Sequence, residues 1–238
     1  LESVEQARKE GITNITIDLI YGLPESTPQK WQENLIMLKK LSIPHLSAYA
    51  LTVEPGTALH HFIRKGKIKA PGEELFLEQF QQLQRFADEN GYEHYEISNF
   101  CRDEQYARHN TAYWFGKPYL GIGPSAHSFD GKKRTWNIAN LKEYLTGMNN
   151  ANPDMQHETL TMEQHYNEFV MTRLRTRWGV SIKELKNRFP EGFVKHFLKV
   201  QKKYPENNLL HQKEDIVMLS RKGIMVSDSI ISDFFLEE

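Results

Sequence analysis

The chain has 238 residues, one cysteine, 39% hydrophobic residues and 30 Lys and Arg against 31 Asp and Glu, for a formal net charge of −1. That length suits one large or two modest domains; the single cysteine excludes an internal disulfide, and the balanced charge argues against nucleic acid held by bulk electrostatics. No run approaches the ~20 apolar residues of a membrane span, and Leu1 to Gly11 lacks the apolar centre of a signal peptide, so a soluble, reducing compartment, the cytoplasm, is expected.

Leu1, Val4 and Ala7 already form a helical stripe that ends at Gly11, which carries the expectation that an N-terminal part is missing. Ile15 to Ile20 is short and β-branched, as a strand should be, and Tyr21-Gly22-Leu23-Pro24 ends it in a turn. Thr27-Pro28 reads as a helix cap with proline at the first helical position, and Trp31, Leu35, Leu38 and Leu41 make the stripe behind it. His45 to Thr52 reads as the next strand, closed by the loop Glu54 to Thr57. A long helix from about Pro71 to Asn90, a third strand from Tyr92 to Ile97 and a fourth from Tyr119 to Ile122 complete the series. Strand and helix alternating at this spacing predict βαβ units and a parallel sheet. So few strands cannot close a barrel, and they read as part of one.

The polar stretch Asn149 to Pro153 is the predicted boundary between domains 1–150 and 151–238. Beyond it the pattern is helix, short helix, helix, hairpin and last helix, with the hairpin at 209–212 and 216–219 and the last helix at 224–234. That order is winged-helix-like and raises DNA as a third reading. Residues 151–238 hold 13 Lys or Arg against 13 Asp or Glu, however, where a nucleic-acid footprint shows a basic excess.

Four groups of residues look chemical. Asp18 sits among isoleucines in a strand, where a carboxylate is costly unless paired; it points into a barrel mouth or partners a backbone N–H or an arginine. Glu96-Ile97-Ser98-Asn99 repeats that polarity at another strand end. His109-Asn110-Thr111-Ala112-Tyr113-Trp114 brings an imidazole and two aromatics together, suited to iron and a flat macrocycle, to stacking on a base, or simply to packing. With Arg102, Tyr106 and Arg108 close by in sequence, the segment also suits an anionic, planar partner. Gly121 to Ser128 is glycine-rich after a strand, but Pro124 removes a donor that a phosphate cradle would use; close approach to a flat or bulky ligand is the better reading. His60, His61 and Cys101 read as bystanders.

These residues resemble a known family. Asp18 to Pro24, Leu46 to Tyr49, Val53 to Thr57, Tyr95 to Phe100 and Gly121 to Gly123 are similar to the oxygen-independent coproporphyrinogen III oxidase-like radical S-adenosylmethionine proteins, and His109-Asn110-x-x-Tyr113-Trp114 resembles the signature of their heme-chaperone branch. The resemblance implies an α/β fold: the C-terminal part of a partial (β/α)6 barrel followed by a winged-helix-like domain. It implies S-adenosylmethionine held by Asp18, with Thr52 and His127 as further contacts, and heme held by His109, Tyr113 and Trp114. It also implies a 4Fe-4S cluster on a CxxxCxxC loop that this chain lacks, so the chain by itself is expected not to cleave S-adenosylmethionine. The expected partners are heme or another tetrapyrrole and a heme-acceptor protein. The alternative within the family is the oxidase, which decarboxylates coproporphyrinogen.

Overall fold

The computed structural model describes residues 1–152, 154–204 and 208–237, and its contacts divide the chain into two units, Leu1–Ala107 and Arg108–Glu238. In the first, the order is α1 (Glu2–Lys9), β1 (Thr16–Tyr21), α2 (Pro28–Leu41), β2 (His45–Ala50), α3 (Ala58–Arg64), α4 (Glu73–Glu89), β3 (Glu93–Glu96) and β4 (Asn99–Cys101). The Thr27 hydroxyl accepts from the Lys30 N–H at 3.2 Å and Pro28 follows it, so α2 starts where its capping residues dictate. Tyr21, at the end of β1, packs on Trp31 of α2 and Phe80 of α4, with ring centroids 5.8 and 6.1 Å away. One face of the sheet is therefore covered by these two helices, through Trp31, Leu35, Leu38, Phe80 and Leu83, all buried.

The sheet order is β1-β2-β4-β3. Only β1 and β2 run parallel, joined through α2; β4 is antiparallel to both of its neighbours. The expected parallel βαβ unit is present in β1-α2-β2, and the expectation of a parallel sheet is corrected at β3 and β4. Two residues, Ile97 and Ser98, separate β3 from β4, a link long enough for a hairpin and far too short for a parallel crossover. The fourth strand expected at Tyr119 to Ile122 is reduced to a single bridge, Tyr119 to Phe129.

The second unit contains α5 (Arg108–Trp114), β5 (His127–Phe129), β6 (Lys133–Asn137), α6 (Leu141–Asn149), β7 (Met155–Thr159), α7 (Met162–Leu174), β8 (Val180–Ser181), α8 (Ile182–Arg188), α9 (Glu191–Gln201), β9 (Leu210–Lys213), β10 (Ile216–Leu219), α10 (Arg221–Ile224) and α11 (Ser227–Asp233). A capping box starts α7: Thr161 accepts from the Gln164 N–H, and the Gln164 side chain accepts from the Thr161 N–H. Tyr166, Phe169 and Val170 of α7 meet Leu185, Phe197 and Phe234 in one core. The sheet β8-β10-β9 completes the winged-helix arrangement. The last helix is broken between α10 and α11, because Val226 leaves helical geometry at φ −126° and ψ 29°.

Contacts place the division at Ala107/Arg108 rather than at 149–153. The reason is a second sheet, β5-β6-β7, in which Lys133 to Asn137 pairs in continuous register with Met155 to Thr159. Hydrogen bonds thus join chain on both sides of the expected boundary, whose last residue, Pro153, lies with Glu238 outside the described residues. Among the described residues no helix is long and apolar enough to cross a membrane.

Candidate functional site

Side chains alternate along β1, so the residues opposite Tyr21 and Leu19 are Thr16, Asp18 and Ile20, and all three are exposed. Asp18 lies on the sheet face that α2 and α4 leave uncovered. In register, Asp18 stands beside Ser47, Ser47 beside Asn99, and Asn99 beside Glu96. A polar row therefore crosses all four strands, exposed at Asp18 and buried at Ser47, Asn99 and Glu96. The Asn99 amide donates to Glu96 Oε1, while Asn99 Oδ1 is buried with no partner among the described residues. Thr52 is exposed just beyond β2, where the Leu51 N–H binds the Tyr21 carbonyl at 2.9 Å and holds the two strand ends together.

One row deeper, His45 is buried with both ring nitrogens engaged: Nδ1 lies 2.7 Å from Thr16 Oγ1 and Nε2 lies 2.7 Å from the Tyr95 hydroxyl. The sequence reading missed this chain of polar groups; the available signal was a His and a Tyr on strands otherwise read for their apolar residues. Burial holds the His45 imidazole below its ordinary value of 6.5, and the Asp18 carboxylate works in the opposite direction. The folded state thus binds its proton at lower pH than the unfolded chain does. The stability contributed by neutral His45 is complete above about pH 6.5 and is lost as pH falls from there toward the folded value. The urea midpoint of the wild-type chain is expected to drop between about pH 7 and pH 5.5, and this slope to flatten in His45→Gln. An equal slope in both proteins would refute the assignment.

In the second unit, His109 and Tyr113 are four residues apart on α5 and share a face. The Tyr113 hydroxyl lies 2.9 Å from His109 Nε2, and the two rings meet edge to face at 4.8 Å. Both are exposed, and Tyr113 continues onto Tyr119 at 4.7 Å. Trp114 is half-buried on the next ridge, and its Nε1 is buried with no acceptor among the described residues. It lines a cavity of about 420 Å³ together with Tyr113, Phe169, Arg173 and Arg188. Neither arginine carried a signal in the sequence, since both come from helices more than fifty residues further on. Of the two arginines singled out near this segment, Arg102 belongs to the first unit, where it donates to the Ile43 carbonyl at 3.2 Å and lies over the Tyr92 ring at 4.9 Å.

His127 is exposed at the start of β5, with its ring stacked on Trp136 at 5.6 Å. It belongs to the second unit, Asp18 and Thr52 to the first. The glycine-rich segment has a local explanation. A Cβ at Gly121 would sit 2.1 Å from the His127 carbonyl oxygen, and the Gly121 N–H binds Ser128 Oγ at 2.9 Å. At Gly121 the close approach is to the backbone of β5.

The donor sets can be matched to the implied cofactors. An exposed carboxylate backed by a row of acceptors suits a donor-rich ligand such as the ribose or ammonium of S-adenosylmethionine. An iron–sulfur cluster needs several thiolates. The lone Cys101 is buried, and burial pushes its thiol up to about 12, so this chain does not fit a cluster.

A family model described as the HemN C-terminal domain matches residues 160–226. The chain is 30% identical over 236 residues to the heme chaperone HemW of Bacillus subtilis (strain 168), covering 99% of this chain and 62% of that protein. It is 36% identical over 127 residues to the mitochondrial radical S-adenosyl methionine domain-containing protein 1 of Danio rerio, covering 53% of this chain and 29% of that protein. Among solved structures, coproporphyrinogen III oxidase (HemN) from Escherichia coli, a radical SAM enzyme, superposes with a TM-score of 0.77 at 23% identity, covering 98% of this chain and 57% of that one. At that identity the likeness shows the fold. The chain spans about 62% of the length of the HemW proteins of Bacillus subtilis and Lactococcus lactis.

Proposed function

Since the chain matches the C-terminal portion of the HemN/HemW-like radical S-adenosylmethionine family, we propose that it is the heme-holding part of a chaperone of that type. The observation that carries this reading is the His109–Tyr113 pair on one face of α5, with Trp114 beside it on a cavity wall. An imidazole for iron and adjoining aromatic faces for a macrocycle are what cargo heme requires. Tyr113 orients the imidazole through Nε2, as groups behind a metal ligand commonly do. The cargo would pass to an acceptor protein. The oxidase alternative draws on the fold, which does not decide function, whereas the relatives described as heme chaperones match at the level of sequence.

Asp18 and Thr52 would hold S-adenosylmethionine. Bound S-adenosylmethionine supplies a sulfonium whose carbon–sulfur bond can be cleaved reductively at a cluster. The part of this chain's residues is placement: the Asp18 carboxylate accepts from the ligand's donors, at the exposed end of the polar row that Ser47, Asn99 and Glu96 continue into the interior.

Hemin titrated into the chain is expected to give a shifted Soret band. His109→Ala is expected to weaken binding about tenfold or more and to move the band, and Trp114→Ala to weaken it without moving the band as far. No Soret shift in the wild-type chain, or identical titrations for all three proteins, would end the heme reading.

A further inference from the structure

The cavity beside α5 has an uneven distribution of charge. Arg134 on its wall is answered twice, by Glu158 at 2.9 Å and Glu168 at 2.6 Å. Arg173 and Arg188, in contrast, share one carboxylate. Glu184 Oε1 accepts from Arg188 at 3.0 Å and from Arg173 at 3.3 Å, and Oε2 accepts from Arg173 at 3.3 Å. The Arg173 distances exceed the usual 2.7–2.9 Å of a charge-assisted bond, so one positive charge is left over and one guanidinium is loosely held. That guanidinium is nearly buried, with its side chain 11% exposed, where incomplete neutralisation is costly.

The same two guanidiniums lie over aromatic faces: Arg173 over Phe115 at 4.4 Å and Phe169 at 5.6 Å, and Arg188 over Phe169 at 4.7 Å. Stacking of this kind fixes the plane of the fork, which pre-organises it for two-point recognition of a carboxylate. A cavity with flat aromatic walls and, on one side, two guanidiniums that share a single carboxylate calls for a planar, aromatic ligand that carries a carboxylate.

We infer that this cavity takes a propionate-bearing edge of the tetrapyrrole, with Arg173 and Arg188 as the carboxylate's partners. The inference rests on the heme reading above, because Tyr113 and Trp114 belong both to the cavity wall and to the proposed heme segment. It makes the tetrapyrrole's acidic side chains, and not only its iron, a determinant of recognition.

The test compares hemin with hemin dimethyl ester, whose propionates are blocked, by Soret titration of the chain. The wild type is expected to bind the ester about tenfold more weakly, the scale of a lost hydrogen-bonded charge pair. Arg188→Gln is expected to lose a similar factor for hemin while leaving the ester unchanged, and Arg188→Lys to fall between. Arg188 is well exposed, with 46% of its side chain accessible, so the variant should fold, and circular dichroism checks that it does. Equal affinities of the wild type for hemin and ester, or a parallel loss of both in Arg188→Gln, would overturn the cavity assignment and leave the heme reading standing. Absence of binding by either compound would remove both.

Discussion

Trp31→Ala is expected to cost the first unit about 4 kcal/mol, in the range of aromatic deletions from a packed core. The indole is 1% exposed and lies between Tyr21 and α4. Its Nε1 donates to the Gln79 carbonyl at 2.9 Å, so the substitution opens a void and also removes a hydrogen bond that ties α2 to α4. Gln79 passes the disturbance on: its side chain accepts the Gly22 N–H at 2.7 Å and donates to Ser26 Oγ at 3.0 Å. The turn after β1 is therefore held by the residue that Trp31 anchors. Against a total stability of about 5–15 kcal/mol, the loss is large. It is measured as the shift in urea midpoint of the chain, and Trp31→Phe, which keeps most of the packing, should lose about half as much. A shift worth under about 1 kcal/mol would contradict the role given to this side chain.

The second large effect is expected at Gly179, just before β8. Its backbone sits at φ +61°, and a Cβ there would lie 2.4 Å from the Val217 carbonyl oxygen and 2.5 Å from Met218 Cγ. Val217 belongs to β10, the central strand of its sheet, held by β8 on one side and β9 on the other. That carbonyl cannot retreat without breaking pairing. Gly179→Ala thus combines left-handed strain with a backbone collision, together about 3 kcal/mol or more. Trp178, next in the chain and packed on Phe115 at 5.0 Å, gives a fluorescence signal for the unit's unfolding. An unchanged denaturation curve would show that the turn relaxes freely.

How legible the molecule was depended on the range of the forces involved. Local signals were read correctly: the Thr27-Pro28 start, the stripe of α2, the winged-helix order and the hairpin at 210–219. Each is set by residues within a few positions of one another. What escaped was pairing between distant segments. β6 and β7 have no alternating apolar pattern, since β6 is half-buried throughout and β7 is mostly exposed, so neither announced itself as a strand. At the candidate sites, Asp18, His109, Tyr113 and Trp114 were visible because a carboxylate among isoleucines and a histidine among aromatics stand out by composition. Arg173 and Arg188 were not, because a cation on an amphipathic helix looks like any solvated residue until the chain folds and an aromatic face is found beneath it.

The strand pairing between residues 133–137 and 155–159 governs how the molecule can be dissected. Severing the backbone near residue 150 would leave β6 with a naked row of amides and carbonyls and detach β7 as an unmated ribbon, both invitations to sticky intermolecular association. Separation after Ala107 interrupts no ladder among the described residues. The seam for studying the halves in isolation therefore follows the hydrogen-bond network, and the polar, turn-rich stretch that looks like a linker is the wrong place to cut.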